Sequence, residues 1–312
     1  MLFEVMMLCL GLLGLVFGAD LLVKGAIGLA KYHKWPTLWV GTILVGFATT
    51  LPEMIVSLIA VLHGHPHIAI GNALGSYVAN IGMVLGITAM ICPMIIHKKI
   101  LKRELPLLSA AMVLLLVLLS DFNLSIQDGI ILLLALGAFI WLVSQNRETI
   151  QAIGEMPDVV ISAKKAATIF FIGSIIIWGA GDILVIYASK IAKILGMSDW
   201  AIGLTIVAVG TSLPELAASI VSAKQGHHDL AIGNVVGSNI MGLLGVVAIP
   251  SILSPGNLPK SVIYQDIGAM TVVTIALWLT SIKSKENISE ISRLEGFILF
   301  ILFLSYLILT VK

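Results

Sequence analysis

The sequence predicts an all-α polytopic membrane protein, with ten transmembrane helices built as two inverted five-helix repeats. Three observations carry that expectation. Hydrophobic residues make up 59% of the chain and charged residues 11%, with a mean hydropathy of +1.08; a soluble domain carries about 25% charged residues. Apolar runs of roughly 20 residues, the length that crosses a bilayer core, recur from end to end. One stretch is also written twice. GFATTLPEMIVSLIAVLHGHPHIAIGNALGSYVANIGMVLG, from Gly46 to Gly86, returns without a gap as AVGTSLPELAASIVSAKQGHHDLAIGNVVGSNIMGLLGVVA, from Ala208 to Ala248.

The copies stand 162 positions apart, and the offset extends beyond them. It pairs Pro52 with Pro214, Glu53 with Glu215, Gly71-Asn72 with Gly233-Asn234 and Gly75-Ser76 with Gly237-Ser238. It also pairs Asp20 with Asp182, Lys31 with Lys193, Gly41 with Gly203 and Pro93 with Pro255, so the whole chain reads as two halves.

The first span, 2–30, carries Glu4 where a signal peptide carries Lys or Arg and stays apolar past any cleavage site, so it reads as a retained helix. Spans at 37–62, 67–92, 105–120 and 127–144 complete the first repeat, residues 1–144. The connector 145–165 holds Arg147, Glu148, Glu155, Pro157, Asp158, Lys164 and Lys165. The second repeat, 166–312, has spans at 166–195, 200–224, 229–253, 262–282 and 294–311. Five crossings are an odd number, so the second repeat enters from the opposite face and a pseudo-two-fold axis lies in the membrane plane.

Loop charge sets the orientation. Lys31, Lys34, Lys98, Lys99, Lys102, Arg103, Arg147, Lys164, Lys165, Lys224, Lys283, Lys285 and Arg293 fall on one side; Lys190, Lys193, Lys260 and Lys312 fall on the other, with Lys24 inside a span. The connector is therefore expected in the cytoplasm, with both termini outside a cell (inner) membrane. The basic run His97–Arg103 is expected to face anionic lipid. A net charge of +1 points to no nucleic-acid partner. With no Walker loop, aspartyl-phosphate motif or nucleotide fingerprint, ATP-driven pumping is not expected, nor any cofactor. Cys9 and Cys92 sit in apolar runs without metal or disulfide spacing and read as structural core residues.

Glu53 and Glu215 lie deep inside apolar spans, where a carboxylate costs several kcal/mol and is functional by default. At equivalent positions of an inverted repeat they should meet near the midplane, although each could instead be a protonated or hydrogen-bonded helix tie. Pro52 and Pro214 cannot donate a backbone hydrogen bond, so carbonyls one turn earlier, near Ala48 and Gly210, are freed. Beside them stand the hydroxyls of Thr49, Thr50, Thr211 and Ser212. Carbonyls, hydroxyls and carboxylates are hard oxygen donors, and two carboxylates neutralise one Ca²⁺ or two Na⁺. On the third span Ser76 and Asn80 are one turn apart on one face and offer further oxygens. The glycines at i and i+4 allow close helix approach. Ser57 and Ser219 are expected to bond back to helix carbonyls.

The two copies resemble the α-repeats of the sodium/calcium exchanger family, the cation/calcium antiporters, over nearly the whole chain, and most closely the compact prokaryotic members with ten spans. The resemblance rests on the Gly-Thr-Ser-Leu-Pro-Glu and Gly-Ser-Asn types of motif, here Ala48-Thr49-Thr50-Leu51-Pro52-Glu53, Gly210-Thr211-Ser212-Leu213-Pro214-Glu215, Gly75-Ser76 and Gly237-Ser238-Asn239. It implies four ion sites around two glutamates. Glu53 and Glu215 would then be the Ca²⁺ carboxylates, with Asn80 at the centre. Thr49, Thr50, Thr211, Ser212, Ser76 and Ser238 would add oxygens to flanking Na⁺ sites. It further implies alternating access, with spans 1 and 6 moving across a fixed core of eight helices. The chain departs from the pattern at Gly242, the partner of Asn80, where the family has Asp or Asn. Asn239 is expected to point away from the Ser238–Gly242 face and to serve helix packing.

The function expected is Ca²⁺ export against inward Na⁺ in a lipid bilayer. A Ca²⁺/H⁺ antiporter on the same fold is the alternative, favoured by the ligand missing at Gly242, and a passive cation channel is a further one. Gly179-Ala180-Gly181-Asp182 also matches the Gly-x-Gly-Asp pattern of intramembrane aspartyl proteases, with Asp20 as partner, but a Tyr-Asp and a Pro-Ala-Leu sequence are missing. Asp20 stands four residues before Lys24, a spacing that permits an ion pair, and both aspartates are expected to anchor spans 1 and 6. His63, His65 and His67, with His227 and His228 in the twin loop, could bind metal or sense pH; as helix caps they need do neither.

Overall fold

The computed structural model describes residues 2–145, 162–194, 208–258, 260–282 and 288–311. The first repeat holds α1 (Leu2–His33), α2 (Thr37–Leu62), α3 (Pro66–Ile91), α4 (Lys98–Leu118) and α5 (Ile126–Ser144). The second holds α6 (Ala163–Ile194), α7 (Leu213–Lys224, after a short turn at Ala208–Thr211), α8 (His228–Leu253), α9 (Lys260–Ile282) and α10 (Arg293–Val311). Among the described residues, eight helices are long and apolar enough to cross a membrane. With α7 and α9 they form the ten-helix, all-α inverted repeat. The start of the span expected at 200–224 and most of the connector 145–165 lie outside the described residues.

Helix ends follow local chemistry. Ser125 and Asp128 form a reciprocal capping box that starts α5, and Ser292 with Glu295 bonds in the same manner at α10. Pro93 and Pro255 follow α3 and α8, where the chain leaves the helix. Each is followed by a short strand that the hydropathy pattern did not announce: β1 (Met94–His97) and β3 (Gly256–Asn257). β1 pairs antiparallel with β4 (Ile288–Ile291), and β3 pairs with β2 (Asn123–Leu124). Both ribbons join one repeat to the other. β1 and β4 flank six helices, β2 and β3 flank four, so each ribbon joins loops on the same membrane face. α4 begins at Lys98, so most of the basic run expected in a loop is the first turn of a helix.

The buried apolar residues fall into two clusters. One gathers α3, α4, α5, α8, α9 and α10; the other joins α1 to α6 and takes in Val40, Val45 and Ala48 of α2. α1 meets α6 through small residues. A methyl at Gly18 would lie 2.8 Å from the Ile177 nitrogen, one at Gly25 would lie 2.6 Å from Phe170 Cα, and one at Gly173 would lie 2.8 Å from Leu22 Cα. Backbone thus meets backbone, the contact that drives helix association where no water is present. Cys9, expected in the core, is exposed on the outer face of α1, because an apolar residue facing lipid needs no burial. Cys92 is half-buried with its Sγ 3.5 Å from the Ala223 carbonyl.

Because backbone atoms cannot step aside, Gly173→Val is expected to destabilise the α1–α6 pair by about 1–3 kcal/mol or more. A thermal melt of the detergent-purified variant, set beside Gly179→Val at an open position, measures this.

Candidate ion-binding site

Pro52 sits inside the continuous helical run Gly46–Leu62 of α2, and a π-helical stretch, Val40–Val45, precedes that run. α3 and α8 carry π-helical stretches beginning at Asn80 and Gly242, which are twins at the 162 offset. Such wide turns expose backbone and re-aim side chains, and they recur at functional sites. α8 lies against the start of α2 at Gly233 and Gly237: a methyl at Gly233 would be 2.8 Å from the Leu38 oxygen, and one at Gly237 would be 2.9 Å from Thr42 Cα. The glycines of the second copy are therefore packing glycines. The positions that would face Gly71 and Gly75 by symmetry, 200 and 204, lie outside the described residues.

Glu53 is 2% exposed and Glu215 is 0% exposed. Among the described residues no cationic group pairs with their four carboxyl oxygens; Thr49 lies near the Glu215 carboxyl, and the charge of Glu53 acts on Glu215. A carboxamide braces the backbone behind each glutamate. Asn72 donates to the Glu53 carbonyl at 3.4 Å and to Ser57 Oγ at 3.2 Å; Asn234 donates to the Glu215 carbonyl at 3.2 Å and to Ser219 Oγ at 2.9 Å. The carboxamide oxygens then accept across the repeats, Asn234 from Thr49 at 3.0 Å and Asn72 from Thr211 at 3.5 Å. Thr49 is also 3.2 Å from Ser238 Oγ, which donates to the Gly46 carbonyl at 3.4 Å. An internal cavity of about 10 Å³ is walled by Thr50, Glu53, Ser76, Asn80, Ser238 and Asn239, with Ala73, Tyr77, Gly242 and Val246. Thr50 Oγ1, Ser76 Oγ, Asn80 Oδ1 and Ser212 Oγ are buried without partners. This is a set of hard oxygens around two carboxylates, suited to a hard cation.

The family model for "Sodium/calcium exchanger protein" matches residues 3–145 and 165–312. The chain belongs to the sodium/calcium exchanger family. The putative antiporter CaxA of Alkalimonas amylolytica is 34% identical, with 98% of each chain covered. Inner membrane protein YrbG of Escherichia coli is 35% identical over 88% of this chain and 87% of that one. Among solved structures, the sodium-calcium exchanger NCX_Mj soaked with 2.5 mM Na⁺ and 10 mM Sr²⁺ superposes with a TM-score of 0.82 at 30% identity, covering 97% of both chains. Family and fold are those of a transporter, a cation/calcium antiporter and not an enzyme, which removes the protease reading. In this exchanger Asp20 is paired with Lys24 at 2.6 Å and accepts from Gln225 at 2.9 Å, tying α1 to the end of α7, and Asp182 is exposed.

Of the residues expected at the site, the cavity of the exchanger gathers Thr50, Glu53, Ser76, Asn80 and Ser238. Glu215, Ser212, Thr49 and Thr211 do not line it: Thr49 bonds to Ser238 of its wall, Thr211 bonds to Asn72, Glu215 and Ser212 are buried, and Gly210 is buried against Val185 of α6. The Ala48 carbonyl freed by Pro52 accepts a hydrogen bond from Trp178 Nε1 of α6 at 2.9 Å, so in this conformation α6 holds it. Ser57 and Ser219 receive Asn72 and Asn234, a role the sequence reading assigned instead to helix carbonyls. Asn239, expected to face away, is in the cavity wall, because residues three apart share a helix face. The histidines border the helices. His63 Nδ1 is 2.8 Å from the Ile59 carbonyl, His65 and His227 precede α3 and α8, and burial beside Lys31 and His228 holds His227 below the usual imidazole range.

Asn72 and Asn234 went unassigned at the sequence level, although their identity in both copies was visible. Asn234→Ala leaves the Glu215 carbonyl, Ser219 and Thr49 short of a partner and is expected to cost about 1–3 kcal/mol. Differential scanning fluorimetry against Asn234→Asp, which keeps the acceptor, reads the loss.

Proposed function

We propose that this exchanger is a secondary antiporter that exports Ca²⁺ against inward Na⁺, binding both ions at overlapping sites built on Glu53 and Glu215. The observation that supports it most is the pair of buried carboxylates with no cationic partner among the described residues, set among neutral oxygens. Two carboxylates balance one Ca²⁺ or two Na⁺, so full loading with one ion excludes the other. Thr49, Thr50, Thr211, Ser212, Ser76 and Ser238, with the Ala48 and Gly210 carbonyls, would complete the Na⁺ coordination around Asn80. We assign residues 1–144 and 166–312 to the two repeats and the connector 145–165 to the cytoplasm, with both termini outside the cell membrane.

Alternating access would move α1 and α6 as a pair, in line with the close backbone contact between them at Gly18, Gly25 and Gly173. Movement of α6 would exchange Trp178 for an ion at the Ala48 carbonyl. Trp178→Phe removes the competing donor and keeps the ring. The Na⁺ concentration for half-maximal Ca²⁺ uptake is expected to fall by about two- to tenfold, the worth of one hydrogen bond. An unchanged value would refute that exchange.

The test of the function is ⁴⁵Ca²⁺ uptake into Na⁺-loaded proteoliposomes at constant pH. Uptake should require the Na⁺ gradient, survive a protonophore and vanish in Glu53→Gln and Glu215→Gln while both variants stay folded. Proton coupling is the second reading, favoured by Gly242, which offers no side-chain ligand. Uptake that ignores Na⁺ and follows an imposed pH gradient would replace the first reading with the second. Net conductance without exchange would make the chain a channel.

A further inference from the structure

The internal symmetry of the site breaks at two positions one turn apart. Asn80 of α3 has Gly242 as its twin, and Asn239 of α8 has Tyr77 as its twin. The first repeat thus has Tyr77 then Asn80, and the second has Asn239 then Gly242. All four line the same cavity. Tyr77 is committed elsewhere: its hydroxyl is 2.7 Å from Thr274 Oγ1 and donates toward Met112 Sδ, so it faces α4 and α9. Asn80 Oδ1 has no partner. Asn239 is 1% exposed, and both its Oδ1 and Nδ2 are buried without a hydrogen-bond partner. A buried carboxamide with neither group satisfied costs several kcal/mol, so its position in a cation site calls for a ligand. At Gly242 a methyl would meet nothing within 4 Å, so no neighbouring side chain takes the place of the missing ligand beside Asn239.

We propose that Asn239 is a ligand of the central ion: its Oδ1 supplies from α8 the oxygen that Gly242 cannot, one helical turn earlier. Each repeat then contributes one free carboxamide, Asn80 and Asn239, and one glutamate. A neutral amide oxygen replaces what would be a side chain at 242, so the carboxylate charge at the site remains that of Glu53 and Glu215. This inference rests on the proposed Ca²⁺ site and adds a residue to it.

The test is ⁴⁵Ca²⁺ binding to the purified full-length protein in Na⁺-free buffer. Asn239→Ala should weaken binding about tenfold or more, as expected for loss of one oxygen to a cation. Asn239→Asp should tighten Ca²⁺ binding and raise the Na⁺ concentration needed to displace it, a shift that a purely structural asparagine would not give. Gly242→Asn placed in the Asn239→Ala background should recover binding, because a Cβ at 242 meets nothing within 4 Å and the Ala substitution vacates the neighbouring space. If the Ala variant does not fold, Asn239→Asp and Gly242→Asn alone decide the matter. Wild-type binding with affinities unchanged in the Ala and Asp variants would overturn the role of Asn239 and leave the Ca²⁺ reading intact. Wild-type protein that binds no Ca²⁺, like Glu53→Gln, would instead overturn the reading beneath it.

Discussion

Two carboxylates buried without a cationic partner are the constraint around which this molecule is built. Glu53 and Glu215 are almost fully enclosed, and no cationic side chain among the described residues pairs with their oxygens. Nothing in an apolar core tolerates that arrangement unless a proton or a metal ion completes it. The surroundings are arranged accordingly. Asn72 and Asn234 satisfy the backbone behind each glutamate rather than the carboxylate itself, leaving the charge free to act on whatever enters the cavity. Their carboxamide oxygens, turned to Thr211 and Thr49, lock the two repeats together across the pseudo-two-fold.

The scaffold is symmetric where it holds the site and asymmetric where it must distinguish states. The paired brace at Asn72 and Asn234, the π-helical stretches at Asn80 and Gly242, and the cross-repeat ribbons all obey the 162-residue offset or follow it closely. Trp178 does not: its twin is Val16, exposed on α1, so only one of the two proline-freed carbonyls is held by an indole. A transporter whose halves were fully equivalent would present the same affinity to both membrane faces. Differences such as Trp178 against Val16 and Asn239 against Tyr77 are where preference for one face or one ion can reside.

Most of the architecture was legible because the bilayer imposes a length on each helix and the duplication imposes a register. Among the described residues the helix limits fall within a few residues of the expected spans except at α7, whose expected start lies outside them, and at α4, where Lys98 to Arg103 are polar enough to resemble a loop but lie on the first turns of the helix. The glutamates and hydroxyls were legible because a charge in an apolar run is conspicuous, and doubly so when repeated. Contacts between segments far apart in sequence were not. Nothing local in Met94–His97 says that it pairs with Ile288–Ile291, and nothing around Trp178 says that its indole reaches Ala48. Asn239 is at the cavity although the Ser238–Gly242 spacing alone points it elsewhere, because 239 and 242, three residues apart, also share a face of α8.

Under the proposed function, charge balance would link this geometry to obligatory exchange. With Ca²⁺ bound, or with two Na⁺ bound, the Glu53–Glu215 pair is neutralised, and the loaded site crosses the membrane interior as a group of satisfied dipoles. Empty, it would carry two negative charges within reach of each other in a low-dielectric medium, where their repulsion and desolvation add. In the proposed cycle the transition of α1 and α6 would be steepest uphill when neither ion is present, and slippage without exchange would be suppressed by the same electrostatics that bind the ion. The neutral oxygens tune which ion is held; the two carboxylates decide that the site does not return empty.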